Sequence, residues 1–273
     1  MIAFAEKLHQ QKLANLKPPP KLTVSQWADE HRRLSPESSA EPGRWVTARA
    51  EYQRGIMDAI SDPRIETVVV MSSAQVGKTE ILNNIVGFHI DQDPAPLLLV
   101  QPTLERAQTW SKDRLAPMLR DTPRLKGKVQ DPRAKKSQNT MLHKTFAGGH
   151  ITMTGGNSAA GLASRPIRVV LCDEVDRYPP SAGTEGDPVS LAKKRTATFW
   201  NRCLFLTSTP TLKGASRIEA EFELSDQRYF QVPCPHCKTK QRLMWSGVAW
   251  LKDDEGKGRP ETAQYTCVEC ASL

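Results

Sequence analysis

No apolar stretch in this chain approaches the ~20 residues that a membrane-spanning helix requires, so no transmembrane segment is expected. Residues Met1 to Lys17 carry mixed charges and lack the apolar core and cleavage site of a secretory signal. The expected setting is cytosolic. Acidic residues are in deficit, with 30 Asp and Glu against 38 Lys and Arg and a formal charge of +8. A basic surface favours polyanions such as nucleic acid, although many basic proteins bind none. Cysteine is scarce, with six in 273 residues. Cys172 and Cys203 sit in apolar runs and read as core residues. A hydrophobic content of 38% and a charged content of 25% predict a folded chain of one large or two small domains.

The stretch that organises the chain is Val68-Val69-Val70-Met71-Ser72-Ser73-Ala74-Gln75-Val76-Gly77-Lys78-Thr79. An apolar run, a small-residue loop and Gly-Lys-Thr at the start of a helical pattern give the context of a phosphate-binding loop. Backbone N–H groups would curl around a phosphate while the following helix points its positive end at the anion. Lys78 would reach the β- and γ-phosphates, and the Thr79 hydroxyl would hold Mg²⁺. The usual first glycine is missing, because Ser72 stands there and Ser tolerates positive φ poorly. A helix N-terminus with a solvated lysine is the plainer alternative.

Around this loop the chain reads as alternating strands and helices. Lys17-Pro18-Pro19-Pro20 is a stiff spacer. Leu22 to Glu30 is a short capped helix with Trp27 on its apolar side. Residues 35–45 form a loop. Ala50 to Ser61 is helical, with Tyr52, Ile56, Ala59 and Ile60 at helical spacing. Gln53 on this helix is either an adenine-reading residue or an exposed helix glutamine. A strand at Thr67 to Met71, a helix from Lys78 to about Ile90, a strand at Leu97 to Val100 and a helix from Leu104 to Leu119, strained by Pro117, follow. Asp121 to Asn139, with Arg124, Lys126, Lys128, Arg133, Lys135 and Lys136, is expected as an exposed loop or a poorly ordered insertion, either solvated or tracking a phosphate backbone. Met141 to Phe146 and His150 to Thr154 pair as strands, and Gly155 to Pro166 is a flexible small-residue loop. The alternation predicts an α/β fold with a doubly wound, mainly parallel sheet flanked by helices.

Val169-Val170-Leu171-Cys172-Asp173-Glu174 supplies a second site. A buried strand ends in two carboxylates, at the end of a parallel sheet where ligands bind. Asp173 would hold Mg²⁺ through water, and Glu174 would orient and deprotonate the attacking water. Leu204 to Pro210 repeats the pattern, with Thr207, Ser208 and Thr209 either facing the γ-phosphate or capping the next helix. Cys234-Pro235-His236-Cys237 and Cys267-Val268-Glu269-Cys270 are two C-x₂-C pairs, read as four thiolates around one structural Zn²⁺. The compartment disfavours disulfides, and no thioredoxin-like βαβ pattern surrounds either pair. His236 reads as a bystander.

Arg44-Trp45, Tyr52-Gln53-Arg54, the Ser72 to Thr79 loop, Gly156-Asn157-Ser158, Ser164-Arg165-Pro166, Asp173-Glu174-Val175-Asp176, Thr207-Ser208-Thr209-Pro210 and Val232 to Cys237 follow in one order. This order resembles the phage terminase large subunit of the lambda-type GpA family, from about Leu22 to Cys270. The resemblance implies a RecA-like P-loop ATPase that couples Mg-ATP hydrolysis to the translocation of double-stranded viral DNA into a capsid. A zinc-ribbon-like segment would follow it. It implies a homo-oligomeric ring at a portal protein, a small terminase subunit as partner, and the cytoplasm of a bacterial host. A substituted first glycine is normal in that family. By position, the resemblance makes Asp173 the Walker B acid, Glu174 catalytic and Thr207 to Thr209 the coupling motif. Arg165 becomes the candidate for an arginine supplied to a neighbouring subunit's ATP, with DNA binding or pairing to an acid as its alternatives, and Gln53 the candidate adenine-contacting residue.

The expected division is a leader and lid-like helical segment over 1–50, the ATPase domain over 51–228 and a zinc-knuckle segment over 229–273. The family's metal-dependent nuclease needs an acidic cluster beyond the zinc region, so ATPase competence without DNA cleavage is expected of this stretch. A helicase-like ATPase shares the Asp-Glu and Ser/Thr signatures but needs a second lobe, which ~60 residues after the third motif cannot build. A non-catalytic remnant that binds DNA or the portal is the alternative from another class.

Overall fold

In a computed structural model, residues 20–130, 139–163 and 165–272 are described. Lys17 to Pro19, Arg133, Lys135, Lys136 and Ser164 lie outside them. The chain divides into two units, one up to Ser225 and one from Asp226. No helix among the described residues is long and apolar enough to cross a membrane.

Thr23 and Gln26 start the first helix by exchanging hydrogen bonds. The Thr23 hydroxyl accepts from the Gln26 amide at 3.3 Å, and the Gln26 side chain accepts from the Thr23 amide at 2.9 Å. This capping box opens α1 (Val24–His31). The segment expected as a plain loop is pinched at its ends by β1 (Arg33–Leu34) and β2 (Gly43–Arg44), which pair antiparallel. In α2 (Tyr52–Ile60) the buried residues are Gln53, Met57 and Ile60, while Tyr52 is exposed. The helix is therefore turned by about one residue from the face that hydrophobicity alone picks out. The polar Gln53 is inside because it has a backbone partner.

β3 (Thr67–Met71), α3 (Lys78–Asp91) and β4 (Pro96–Gln101) fall where expected. The expected single helix after β4 is three pieces: α4 (Leu104–Trp110), a π-turn (Ser111–Leu115) and α5 (Ala116–Asp121). Across the π-turn the Ala116 amide reaches the Ser111 carbonyl. The wider turn places Pro117, which has no N–H to donate, in the first turn of α5 rather than in a helix interior.

β5 (His143–Phe146) and β6 (Gly149–Gly155) form a hairpin. The small-residue loop beyond them contains a short helix, α6 (Ala159–Ala163), anchored by the buried Leu162. β7 (Val169–Asp173), α7 (Pro188–Lys194), β8 (Cys203–Ser208) and α8 (Arg217–Glu223) complete the unit.

The six strands form one mixed sheet in the order β3-β8-β7-β4-β6-β5, parallel except for β5. Side chains alternate strictly between two cores. Val68, Leu97, Leu99, Ile151, Val169, Leu171 and Phe205 face the layer of α1, α2 and α3. Leu98, Val100, Val170, Cys172, Leu204 and Leu206 face the other layer, which holds Leu162, Val189 and Ile218. A parallel sheet covered on both faces requires such unbroken apolar strands. Cys172 and Cys203 lie inside it, and burial pushes both thiols up to about 12.

Two contacts fix α3, which carries the lysine of the loop. A Cβ at Gly87 would come within 2.4 Å of the Trp27 ring, so only glycine lets α1 approach this closely. The fully buried Asp91 carboxylate accepts from the Trp27 indole at 2.8 Å and pairs with Arg124 at 3.0 Å and Lys128 at 2.9 Å. Arg124 and Lys128 thus serve the fold, and Leu125 between them is buried. Residues 121–130 are an exposed segment, as expected, but one anchored by the buried Thr122 and Leu125.

The second unit contains β9 (Val232–Pro233) paired with β10 (Lys240–Gln241), and β11 (Val248–Ala249) paired with β12 (Gln264–Tyr265).

His89 on α3 gives a pH prediction. Its Nδ1 lies 2.9 Å from the Asp93 carbonyl, Arg168 and the Asp93 carboxylate face it, and burial depresses its pKa from 6.5 to about 4. The unfolded chain therefore binds a proton that the folded chain refuses. Stability should be full above pH 6.5 and fall by on the order of 3 kcal/mol as pH drops toward 4. Denaturant titrations at pH 7.5 and pH 5 should show about 2 kcal/mol of this loss, and His89→Asn should flatten it. An unchanged slope in the variant would exclude His89 as its source.

Candidate functional site

The parallel register sets three strand ends side by side. Met71 pairs with Ser208, and Thr207 pairs with Asp173. The loop from Ser72 to Gly77 leaves β3, the hydroxyl residues end β8, and the carboxylates end β7.

In the loop, positive φ falls at Gln75 (63°) and Gly77 (80°), not at Ser72. The absent first glycine costs nothing here, because that position needs no left-handed backbone. Gly77 is needed twice over, since a Cβ on it would also lie 2.5 Å from the Gln53 amide nitrogen. Gln53 is buried rather than exposed. Its Nε2 donates to the Val76 carbonyl at 3.0 Å, beside the Tyr52 hydroxyl at 3.0 Å, while its Oε1 has no partner. The helix before β3 is thus tied to the crown of the loop.

Lys78 is 6% exposed. Its Nζ donates to the Ser73 carbonyl at 3.2 Å and to the Thr209 hydroxyl, and it lies 3.6 Å from the Glu174 carboxylate. One ammonium therefore gathers the loop, the end of β8 and the end of β7. Ser73, Ala74 and Gln75 are exposed, and Thr79 is half-buried. Of the three hydroxyls after β8, Thr207 turns to the Val70 carbonyl and Ser208 accepts from the Asp176 amide. Only Thr209 meets Lys78. None of the three caps α8, whose first turn is capped by Ser216.

Asp173 is 6% exposed. Its Oδ2 accepts from Gln101 at 3.0 Å, and its buried Oδ1 has no protein partner. Burial pushes this carboxyl up to about 6, against the hydrogen bond from Gln101. A buried carboxylate oxygen left free suits a hard cation. Glu174 has left-handed backbone angles, φ 54° and ψ 51°. Such strain costs of order 1–3 kcal/mol in a residue with a side chain and persists where the surroundings impose it. Arg177 flanks the Glu174 carboxylate at 3.5 Å.

Gln101 carries no signal of a site role in the sequence beyond its place at a strand end, and Asp176, although part of the Asp173–Asp176 stretch, is assigned no role of its own there. Arg165 is not brought to this site. It is exposed and stands 3.3 Å from His143, at the edge of the sheet where β4 and β7 begin.

In the second unit, the sulfurs of Cys234, Cys237, Cys267 and Cys270 all lie within 4.8 Å of one another and could hold a metal ion. The pairs Cys234–Cys270 and Cys237–Cys267 are 3.8 Å apart. Each knuckle closes in the same way. The Lys238 amide donates to the Cys234 carbonyl at 3.0 Å, and the Ala271 amide to the Cys267 carbonyl at 3.1 Å. Lys238 and Ala271 both take positive φ. His236 is exposed and outside the cluster.

A phosphate-type loop, a buried lysine and an acid pair at the carboxyl edge of a largely parallel sheet are the parts of an ATP-hydrolysing α/β domain. The relatives agree. The family described as phage terminase large subunit gpA, ATPase domain, matches residues 39–273, and the chain belongs to it. The terminase large subunit of Enterobacteria phage P21 is 34% identical over 258 residues, covering 91% of this chain and 39% of that protein. That of Escherichia phage lambda is 30% identical over 264 residues, covering 93% and 40%. The chain thus spans about two fifths of the length of these relatives. Among solved structures, the large terminase ATPase domain of Thermus phage P74-26 aligns with 14% identity and a TM-score of 0.44 over 70% of this chain and 76% of that one.

Gly77→Ala should weaken nucleotide binding at least about tenfold. Adding Gln53→Ala should restore only part of it, because the left-handed backbone still costs an alanine about 1–2 kcal/mol. Titration with a fluorescent ATP analogue reads both variants, and full recovery in the double variant would show that the steric contact alone matters.

Proposed function

We propose that this chain is the ATPase part of a DNA-packaging motor, a RecA-like P-loop engine that couples Mg-ATP hydrolysis to translocation of double-stranded DNA. The observation that carries the reading is the convergence of the Ser72–Thr79 loop, Asp173-Glu174 and Thr209 on the single ammonium of Lys78.

In this reading Lys78 exchanges the Ser73 carbonyl and Thr209 for the β- and γ-phosphates, and the loop amides from Ser73 to Thr79 wrap them. The Thr79 hydroxyl and Asp173 would hold Mg²⁺, which would supply charge neutralisation at the phosphate oxygens. Glu174 accepts the proton of the attacking water. The water oxygen bonds to the γ-phosphorus, and the bond to the β–γ bridging oxygen breaks, its electron pair leaving with ADP. Release of Thr209 by Lys78 gives the Thr207–Thr209 segment its coupling role. Gln53, whose buried Oε1 has no partner, is the adenine-contacting residue in this reading. Arg165, far from its own loop, serves a neighbouring subunit in a ring. That arrangement, with double-stranded DNA, a small terminase subunit and a portal protein as partners in the bacterial cytoplasm, is supported by family membership. The functional division into 1–50, 51–228 and 229–273 is kept with it.

The four cysteines are assigned to one structural Zn²⁺ in a ribbon-like knuckle. Zn–S bonds of about 2.3 Å in a tetrahedron require sulfurs about 3.8 Å apart, and a disulfide would need about 2 Å. Metal analysis should find one zinc per chain. Its removal by chelator should unfold the second unit while leaving the first folded, read by limited proteolysis.

The decisive experiment is ATP turnover with and without double-stranded DNA. Lys78→Ala should abolish turnover. Glu174→Gln should lower it by at least about a thousandfold while retaining ATP binding. Equal rates in wild type and Lys78→Ala would end the motor reading.

A further inference from the structure

Asp176 stands two residues beyond Glu174, in the turn Val175–Arg177, and its carboxylate is almost wholly committed. Oδ2 accepts from both the amide and the hydroxyl of Thr211, each at 3.0 Å. Oδ1 accepts from the Ile218 amide at 2.7 Å. The Asp176 amide donates to the Ser208 hydroxyl at 3.2 Å. Arg217, beside Ile218, donates to the Val175 carbonyl at 2.6 Å and the Pro179 carbonyl at 3.2 Å. Burial works against the charge, yet hydrogen bonds from Ser216, Ile218 and Thr211 hold this carboxyl below its ordinary value, so it is ionised. Bonds to an ionised acceptor are roughly twice as strong as neutral ones.

The pattern brackets Thr209. Its neighbour Ser208 is held by the amide of Asp176, and Thr211, two residues on, is held by the carboxylate. Thr209 is the hydroxyl that receives the Lys78 ammonium. The position of Thr209 is therefore set from both flanks by one residue that follows directly on the acid pair.

We propose that Asp176 is the positioning residue that fastens the 209–216 loop and the start of α8 to the turn carrying Glu174, so that Thr209 is presented to Lys78. When Lys78 turns to a phosphate, Thr209, Glu174 and the head of α8 respond as one piece. The inference rests on the reading of Lys78 and Glu174 as an ATP-hydrolysing site. It adds to that site a residue that touches neither nucleotide nor water.

The test is a double-mutant cycle on ATP turnover in the full chain. Asp176→Asn keeps the size of the side chain but loses its charge and one acceptor. It should lower kcat about tenfold or more with KM for ATP changed less than about twofold. Thr209→Val should lower kcat as well. If Asp176 acts through Thr209, the double variant is no slower than the slower single variant within about twofold. Rates that fall by the product of the two single effects, or an unchanged kcat in Asp176→Asn, would overturn the proposal. Should Asp176→Asn fail to fold, the exposed Thr211→Val supplies the same cycle with smaller amplitude, and multiplying effects there overturn it equally. Equal turnover in wild type and Lys78→Ala removes the ATP site itself, and the role of Asp176 with it. Turnover abolished by Lys78→Ala but multiplying in the cycle removes Asp176 alone.

Discussion

Everything at the site depends on the hydrogen-bond register of three neighbouring parallel strands. β8 lies between β3 and β7, and the pairs Met71–Ser208 and Thr207–Asp173 bring their three carboxyl ends level. A slip of one residue would turn each strand's side chains to the opposite face. That slip is resisted because both faces are buried, with Val70, Leu171 and Phe205 on one side and Val170, Leu204 and Leu206 on the other. The hydrophobic effect thus sets the geometry, and electrostatics uses it. An ammonium at 6% exposure, with carbonyl, hydroxyl and carboxylate partners from three segments, can form only where the register has already brought them together.

The strands carrying this geometry were legible because a buried parallel strand leaves a plain trace, an unbroken apolar run ending in small or charged residues. β3, β7 and β8 are all of that kind, and the residues at their ends follow from it. The contribution of Gln53 was not legible, since hydrophobic spacing selects Tyr52 and Ile56 for the inner face of α2. A buried glutamine is chosen instead by a carbonyl 23 residues away. Asp176 and Gln101 were hidden for the same reason, because their partners lie 35 and 72 residues distant. Ser72 looked like a defect only on the supposition that its position needs positive φ. The backbone places that demand on Gln75 and Gly77.

The charge balance shows a similar limit. An excess of eight positive charges pointed to a polyanion, yet Arg124 and Lys128 are engaged by the buried Asp91, and Arg32 is buried against Glu80 at 3.1 Å. Net charge counts residues, whereas a binding surface is made only from those the fold leaves over. The knuckles of the second unit are the opposite case. There the spacing of four cysteines is itself the structural information, because each tight turn brings two sulfurs together without help from distant parts of the chain.

The sheet also has two ends of unlike character. Loop, lysine and acids occupy the edge where β3, β7 and β8 finish, while the β5–β6 turn, His150 and Arg165 lie at the edge where β4 and β7 begin. In the ring proposed above, a change at the Arg165 end would be felt by the neighbouring subunit's ATP rather than by this chain's own loop, so the chain's service to itself and to its neighbour sits on opposite edges of one sheet.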